Sequence, residues 1–208
     1  MNAWLKVVRY RLSEMPSAQE AHDQACAAIG KFINVWSHLE ADIAWGIHRI
    51  YRMEFASGAI ITGNLGLAPK IAVLRSALSY RSQGKITDEW RREADKVLEA
   101  ISDLVRDRNI AAHSYFEATE EGDVRFVRLH VKKGFEEKEL VWTKKSITDR
   151  CVVLLDLSDD VNQLVSELAH DGNGYLSTRW PSDRLSQQTL RYLEDRTSSP
   201  PQIGRAHV

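Results

Sequence analysis

Arg106-Asp107-Arg108-Asn109-Ile110-Ala111-Ala112-His113-Ser114 closes a long apolar pattern, and its reading decides the rest of the chain. Upstream, Trp90, Ala94, Val97, Leu98, Ile101, Leu104 and Val105 recur every three or four positions, the period of one helix face. Arg108 is the next inward position on that stripe, where another leucine would be expected. Asn109 then adds an amide, and His113 adds an imidazole at or just past the helix end. A core helix that only packs does not need all three, so this stretch is the candidate active or binding site.

Working toward the N-terminus, Thr87 is placed to cap this helix. Before it, Pro69 suits the first turn of a helix over about 68–82 that buries Ile71, Leu74 and Leu78, with Gln83-Gly84-Lys85 as its stop. Residues 55–66 mix Ala59, Ile60 and Ile61 with Gly58, Gly63, Asn64 and Gly66, which predicts a short helix and a turn. A first helix over about 18–54 carries Ile29, Phe32, Ile33, Trp36, Leu39, Ile43, Ile47 and Ile50. Ser17-Ala18-Gln19-Glu20 has capping-box spacing at its start. Gly30 and Gly46 inside it each cost about 1 kcal/mol against Ala, so each is expected to mark a close helix approach. Glu40 adjoins the stripe and needs a partner or water, because a lone buried carboxylate is expensive. Trp45 and Tyr51 lie off the stripe and suit either a dimer interface or ordinary packing.

Toward the C-terminus the period changes. Val124 to Val131 and Glu139 to Thr143 are rich in β-formers around Lys132-Lys133-Gly134-Phe135-Glu136, which predicts a β-hairpin at about 123–143. A two-stranded hairpin is marginal alone and must pack on the bundle or a partner. Ser146 is expected to cap the last long helix, whose stripe is Ile147, Cys151, Leu154, Val161, Leu164, Val165 and Leu168. Gly172-Asn173-Gly174 stops it, and Pro181 opens a short helix over about 182–195. The expected fold is all-α: a four-to-five-helix up-down bundle over 18–171 with a β-hairpin inserted before the last long helix. An N-terminal extension (1–17) and a C-terminal extension (172–201) flank it.

The 208 residues suffice for one domain with a real core, and 43% are apolar. A net charge of −1 argues against dedicated duplex binding. RNA contact would have to come from a local patch, and Arg125, Arg128, Lys132, Lys133, Lys144 and Lys145 around the hairpin are the candidates. The competing reading is a solvated hairpin. Cys26 and Cys151 form no CxxC or Cys/His cluster, so no metal or cofactor site is expected and a cytoplasmic setting fits. Residues 1–17 are too short and too broken by Lys6, Arg9 and Arg11 for a signal peptide. No run of about 18 apolar residues appears, so no membrane span is expected. His22, His38, His48 and His170 show no ligand spacing and are expected at the surface. Asp156, Asp159 and Asp160 read as a solvated helix face.

The order of helices with Arg108, Asn109 and His113 at the end of the third resembles the HEPN superfamily, whose hallmark is Arg, a polar residue, a few residues, then His. Trp36-Ser37-His38-Leu39-Glu40 also resembles the first-helix signature of that group, in which a glutamate faces the motif. The resemblance covers about residues 18–170. It implies a dimer whose two motifs meet in a shared cleft and cleave RNA without metal. His113 would be the acid/base, Arg108 the phosphate stabiliser, and Asn109 and Glu40 the supports. It also implies a toxin or phage-defence setting, with an antitoxin or a nucleotidyltransferase as a partner. Other members only bind nucleotides or dimerise. In that case an Arg108–Glu40 pair would hold helix register and His113 would sit on the helix dipole. Spacing alone does not carry the resemblance: Arg125-Phe126-Val127-Arg128-Leu129-His130 has the same interval inside a predicted strand, without the polar neighbour.

The last residues, Ile203-Gly204-Arg205-Ala206-His207-Val208, back-translate to ATC-GGA-AGA-GCA-CAC-GTC. That string matches the start of a common short-read sequencing adapter whose next codon is a stop. Residues 202–208 are therefore expected to be read-through, a hypothesis that native genomic codons differing from the adapter would refute.

Overall fold

The computed structural model describes residues 16–81, 87–119, 121–130, 136–169, 189–192 and 194. Residues 1–15 of the N-terminal extension, the Gln83-Gly84-Lys85 stop, Lys132 and Lys133, most of the C-terminal extension and residues 202–208 lie outside these. The protein is mostly helical: α1 (Pro16–Tyr51), α2 (Phe55–Gly63), α3 (Leu67–Arg81), α4 (Asp88–His113) and α5 (Lys144–Ala169). A small antiparallel sheet stands before α5, with strands β1 (Tyr115–Ala118), β2 (Val124–His130) and β3 (Glu136–Trp142) in the order β1-β2-β3. Among the described residues no helix is long and apolar enough to cross a membrane.

The chain divides into two compact units. One contains residues up to 33 together with 107–151; the other contains 34–106 and the described residues from 152 on. In the first, alternation along the strands sorts the sheet into two faces. Phe116, Val124, Phe126, Leu140 and Trp142 share one, by the register Phe116↔Phe126↔Leu140 and Val124↔Trp142. Trp142 meets Phe126 edge-on at 4.7 Å and Phe32 of α1 at 5.3 Å between ring centroids, the geometry aromatic quadrupoles favour. This answers the stability problem of a lone hairpin, and it includes a third strand. The two-stranded expectation is corrected by β1, whose four residues follow α4 so closely that their alternation is too short to register as a strand. Thr143, not Ser146, caps α5: its Oγ1 accepts from the Ser146 amide at 3.1 Å.

In the second unit, Trp36, Leu39, Ile43, Ile47 and Ile50 of α1 are buried with Ile71, Leu74 and Leu78 of α3. Val97, Leu98, Ile101 and Leu104 of α4 and Leu154, Leu157, Val161, Leu164 and Val165 of α5 complete that core. At Gly46 a Cβ would stand 2.6 Å from Val165 Cγ2, so the glycine permits a close helix contact; at Gly30 nothing lies within 4 Å, and no such contact exists there. Helix α1 ends at Tyr51, three residues before the expected end. Arg52 takes a left-handed conformation (φ 53), and the Met53 amide donates to the His48 carbonyl at 2.9 Å. With Arg52 N to Arg49 O at 3.2 Å, this is a Schellman termination. Glu54 then caps α2, its carboxylate accepting from the amides of Ala56 and Ser57. At the start of α1, Pro16 rather than Ser17 opens the helix. Thr87 caps α4 as expected, accepting from the Trp90 amide at 3.2 Å.

Candidate functional site

The last two turns of α4 belong to the first unit, and an ion pair anchors them there. Asp107 is 3% exposed, and its Oδ2 accepts from Arg150 Nε of α5 at 3.0 Å. Arg150 also donates through Nη1 to the Ser146 carbonyl at 2.8 Å, and its guanidinium lies 4.2 Å over the Trp142 ring. Charge pairing, a backbone acceptor and a cation–π contact thus fix one arginine and, through it, the pitch of α4. Asp107 is the residue that follows Leu104 on the buried face; Arg108, one step around, is half-buried. The stripe expected to pass through Arg108 passes through its neighbour instead. Both positions fit a period of 3.6, and only the partner on α5 decides between them.

That rotation leaves Arg108 free to reach along the outside of the last turn. Asn109 and His113 are four residues apart and share a helix face. Arg108 Nη1 stands 3.4 Å from Asn109 Oδ1 and 3.2 Å from His113 Nε2. Guanidinium, amide and imidazole therefore meet at the C-terminal end of α4. A guanidinium has donors only, so a hydrogen bond here makes His113 Nε2 the acceptor, and in the neutral ring that places the proton on Nδ1. His113 is exposed, and the Ser114 amide still bonds to Ile110 O at 3.0 Å before the chain enters β1. Ser114 Oγ is buried with no hydrogen-bond partner among the described residues, a polar atom beside the cluster that sequence pattern did not single out.

The other site candidates are placed elsewhere. Glu40 belongs to the second unit, where Lys70 Nζ donates to its Oε1 at 2.7 Å. The Arg108–Glu40 pair weighed from the sequence joins residues of different units; within its own unit Glu40 is matched with Lys70, and Arg108 with Asn109 and His113. Arg125 sits on the outer face of the sheet, held by Glu117 directly opposite on β1 and by Glu139 at 3.8 Å. Its charge is largely committed to those carboxylates. The Tyr115 phenol on that face keeps its proton above the usual range because burial, and then the charge of Glu117, disfavour the phenolate. Lys144 donates to Gln24 Oε1 at 3.2 Å, and Lys145 pairs with Asp149 at 2.6 Å. The side chain of Arg128, with Lys132 and Lys133, lies outside the described residues.

Two expectations of surface exposure are corrected. His48 is 5% exposed, because α2 returns over α1 and lays Gly58 against its ring, where a Cβ would meet ring atoms at 2.7 Å. Asp160 is 8% exposed rather than solvated. Trp45 and Tyr51, expected only to lie off the stripe, are exposed, with Trp45 stacked on Phe55 at 5.3 Å. No group of three or more His, Cys, Asp or Glu is placed to hold a metal ion among the described residues. No protein-family model, no curated protein and no solved structure matches the chain.

Proposed function

We propose that the protein is a HEPN-like, metal-independent endoribonuclease of the toxin or phage-defence type, acting as a dimer. The observation that supports this reading is the meeting of Arg108, Asn109 and His113 at one exposed helix end. A phosphodiester offers Arg108 charge-assisted, bidentate hydrogen bonds, stronger than the one it makes to a neutral imidazole. Its arrival draws the guanidinium off Nε2 and leaves that lone pair open. His113 then takes the proton of the ribose 2′-hydroxyl as the 2′-oxygen attacks phosphorus. The bond from phosphorus to the 5′-oxygen breaks, and that oxygen is protonated by His113 or by the matching imidazole of the second copy. The products are a 2′,3′-cyclic phosphate and a free 5′-hydroxyl. Proton transfer of this kind contributes roughly 10²–10⁴-fold, and Arg108 stabilises the charge that builds on the phosphoryl oxygens. An antitoxin or a nucleotidyltransferase would be the partner that holds such an activity in check.

A second reading uses the same contact. Because Arg108 already occupies the Nε2 lone pair, the cluster also suits a non-catalytic binding or dimerisation module in which Arg108 and His113 lock the helix end. RNA incubated in EDTA with wild type, His113→Ala and Arg108→Ala separates the two when thermal stability is read in parallel. The nuclease predicts cleavage by wild type and its loss in His113→Ala at an unchanged Tm. No cleavage by wild type near neutral pH, with a lowered Tm in both variants, favours the module.

A further inference from the structure

The second unit contains a cleft of about 370 Å³ that the nuclease reading does not use. Its walls come from α1, α2 and α3, and its apolar lining is made of small side chains, Ala41, Ala44 and Ala59, with the indole of Trp45 beside them. Ligand pockets run from roughly 300 to 1,000 Å³, so this one suits a single small ring system. The polar part of the wall is the Glu40–Lys70 pair, with side chains only 26% and 10% exposed.

This pair has unspent hydrogen-bonding capacity. Lys70 carries three N–H donors, and among the described residues only Glu40 Oε1 accepts from it. Glu40 Oε2 has no partner among them either. A donor and an acceptor therefore stand side by side on a part-buried wall whose net charge is zero. His48 repeats the pattern. The Thr62 hydroxyl donates to Gly58 O at 2.9 Å, so Thr62 Oγ1 accepts from His48 Nε2 at 3.0 Å. The Nδ1 of this cleft-lining histidine then carries a lone pair that is buried with no partner. Buried polar atoms left unmatched are uncommon; His48 Nδ1 is one on this wall, beside the spare capacity of the Glu40–Lys70 pair, and together they point to a group that matches them.

The chemistry of that group follows. A cation meets Lys70 and an anion meets Glu40, so neither suits the wall. A neutral edge with an N–H beside an acceptor suits both at once, as each half finds its complement. Planarity fits the exposed indole of Trp45, whose ring is already braced by Phe55. We propose that the cleft over the Glu40–Lys70 pair binds a small planar heterocycle presenting a lactam or amidine edge, of the kind nucleobases carry, laid beside Trp45. The site is independent of Arg108 and His113.

Calorimetric titration of the full chain with uracil and adenine tests this, with 1,3-dimethyluracil as the analogue whose edge has lost its donors. Saturable binding at about 1 mM or below is expected for uracil or adenine, weakened at least tenfold by the two methyl groups. Ala41→Leu, at an exposed position of α1 that lines the cleft, should weaken binding at least tenfold without lowering Tm. Lys70→Met should weaken it similarly, and Ala41→Leu keeps the test open if that variant does not fold. Absence of saturable binding overturns the proposal. So does equal affinity for 1,3-dimethyluracil, undiminished binding to Ala41→Leu, or displacement of uracil by equimolar L-phenylalanine, whose charged ends would show that the wall prefers a zwitterion.

Discussion

Arg108 donates to His113: the guanidinium Nη1 lies 3.2 Å from the imidazole Nε2, across five residues of the same helix. The contact dictates a tautomer. In the neutral ring the proton must be on Nδ1, because the arginine offers nothing to accept one from Nε2. Long-range proton–nitrogen correlation spectra should therefore show Nε2 of His113 as the unprotonated nitrogen. In Arg108→Met that preference should disappear. An Nε2-protonated ring in the wild type would mean that the contact does not form.

In the Asp107–Arg150 pair the aspartate is buried and the arginine side chain only 13% exposed, so removing one partner strands the other. Arg150→Met or Asp107→Leu alone should cost about 3–5 kcal/mol in urea unfolding. The double variant should recover most of that loss, since two apolar groups in place of a buried pair leave no charge behind. A loss that is additive in the double variant would show that the pair acts through packing alone.

The two glycines of α1 should respond with opposite signs. Gly46→Ala places a methyl group 2.6 Å from Val165 Cγ2 and should destabilise by about 1–3 kcal/mol. Gly30→Ala meets open space and should stabilise by about 0.5–1 kcal/mol through helix propensity. Thermal melts of both variants check this; equal effects would place neither glycine at a contact.

The corner between α1 and α2 makes a pH prediction. Hydrogen bonds from the Ser57 and Ala56 amides hold the Glu54 carboxyl below its usual range. A depressed folded pKa means that the unfolded chain binds more protons in acid. The stabilisation is thus present above the ordinary glutamate range and is lost as pH falls through the folded value. Glu54→Gln should flatten the acid limb of the stability curve relative to wild type. At the same corner, Arg52 holds a left-handed conformation that costs an L-residue about 1–2 kcal/mol, so Arg52→Gly should raise Tm.

Much of this architecture was legible because it is written in periodicity. The stripes of α1, α3, α4 and α5, the Thr87 cap and the short α2 all followed from spacing and punctuation. What was hidden depended on partners distant in sequence. Nothing near Arg52 announces a helix end, since the residue there is neither Gly nor Pro and only the neighbouring Glu54 cap makes the turn. His48 looked like a surface residue because its burial comes from Gly58 and Thr62 on the next helix. Asp107 was overlooked beside Arg108, since two adjacent positions fit the helical period equally well and the deciding charge sits on α5. The candidate cluster itself was readable as residue types at an interval. The reach of Arg108 back over the last turn to His113 was not, because that contact needs the helix end in three dimensions.

In the proposed nuclease reaction His113 and Arg108 make the ribose 2′-oxygen attack the adjacent phosphate. The most direct measurement is the chemistry of the ends left on an RNA strand after incubation with the full chain in EDTA, beside the same strand with 2′-deoxy substitution at the cleaved nucleotide. The expected result is a 2′,3′-cyclic phosphate and a 5′-hydroxyl from the first strand, no cut at that position in the second, and no products from either with His113→Ala. An intact RNA strand, or cleavage that persists without the 2′-hydroxyl or without the His113 imidazole, would contradict it.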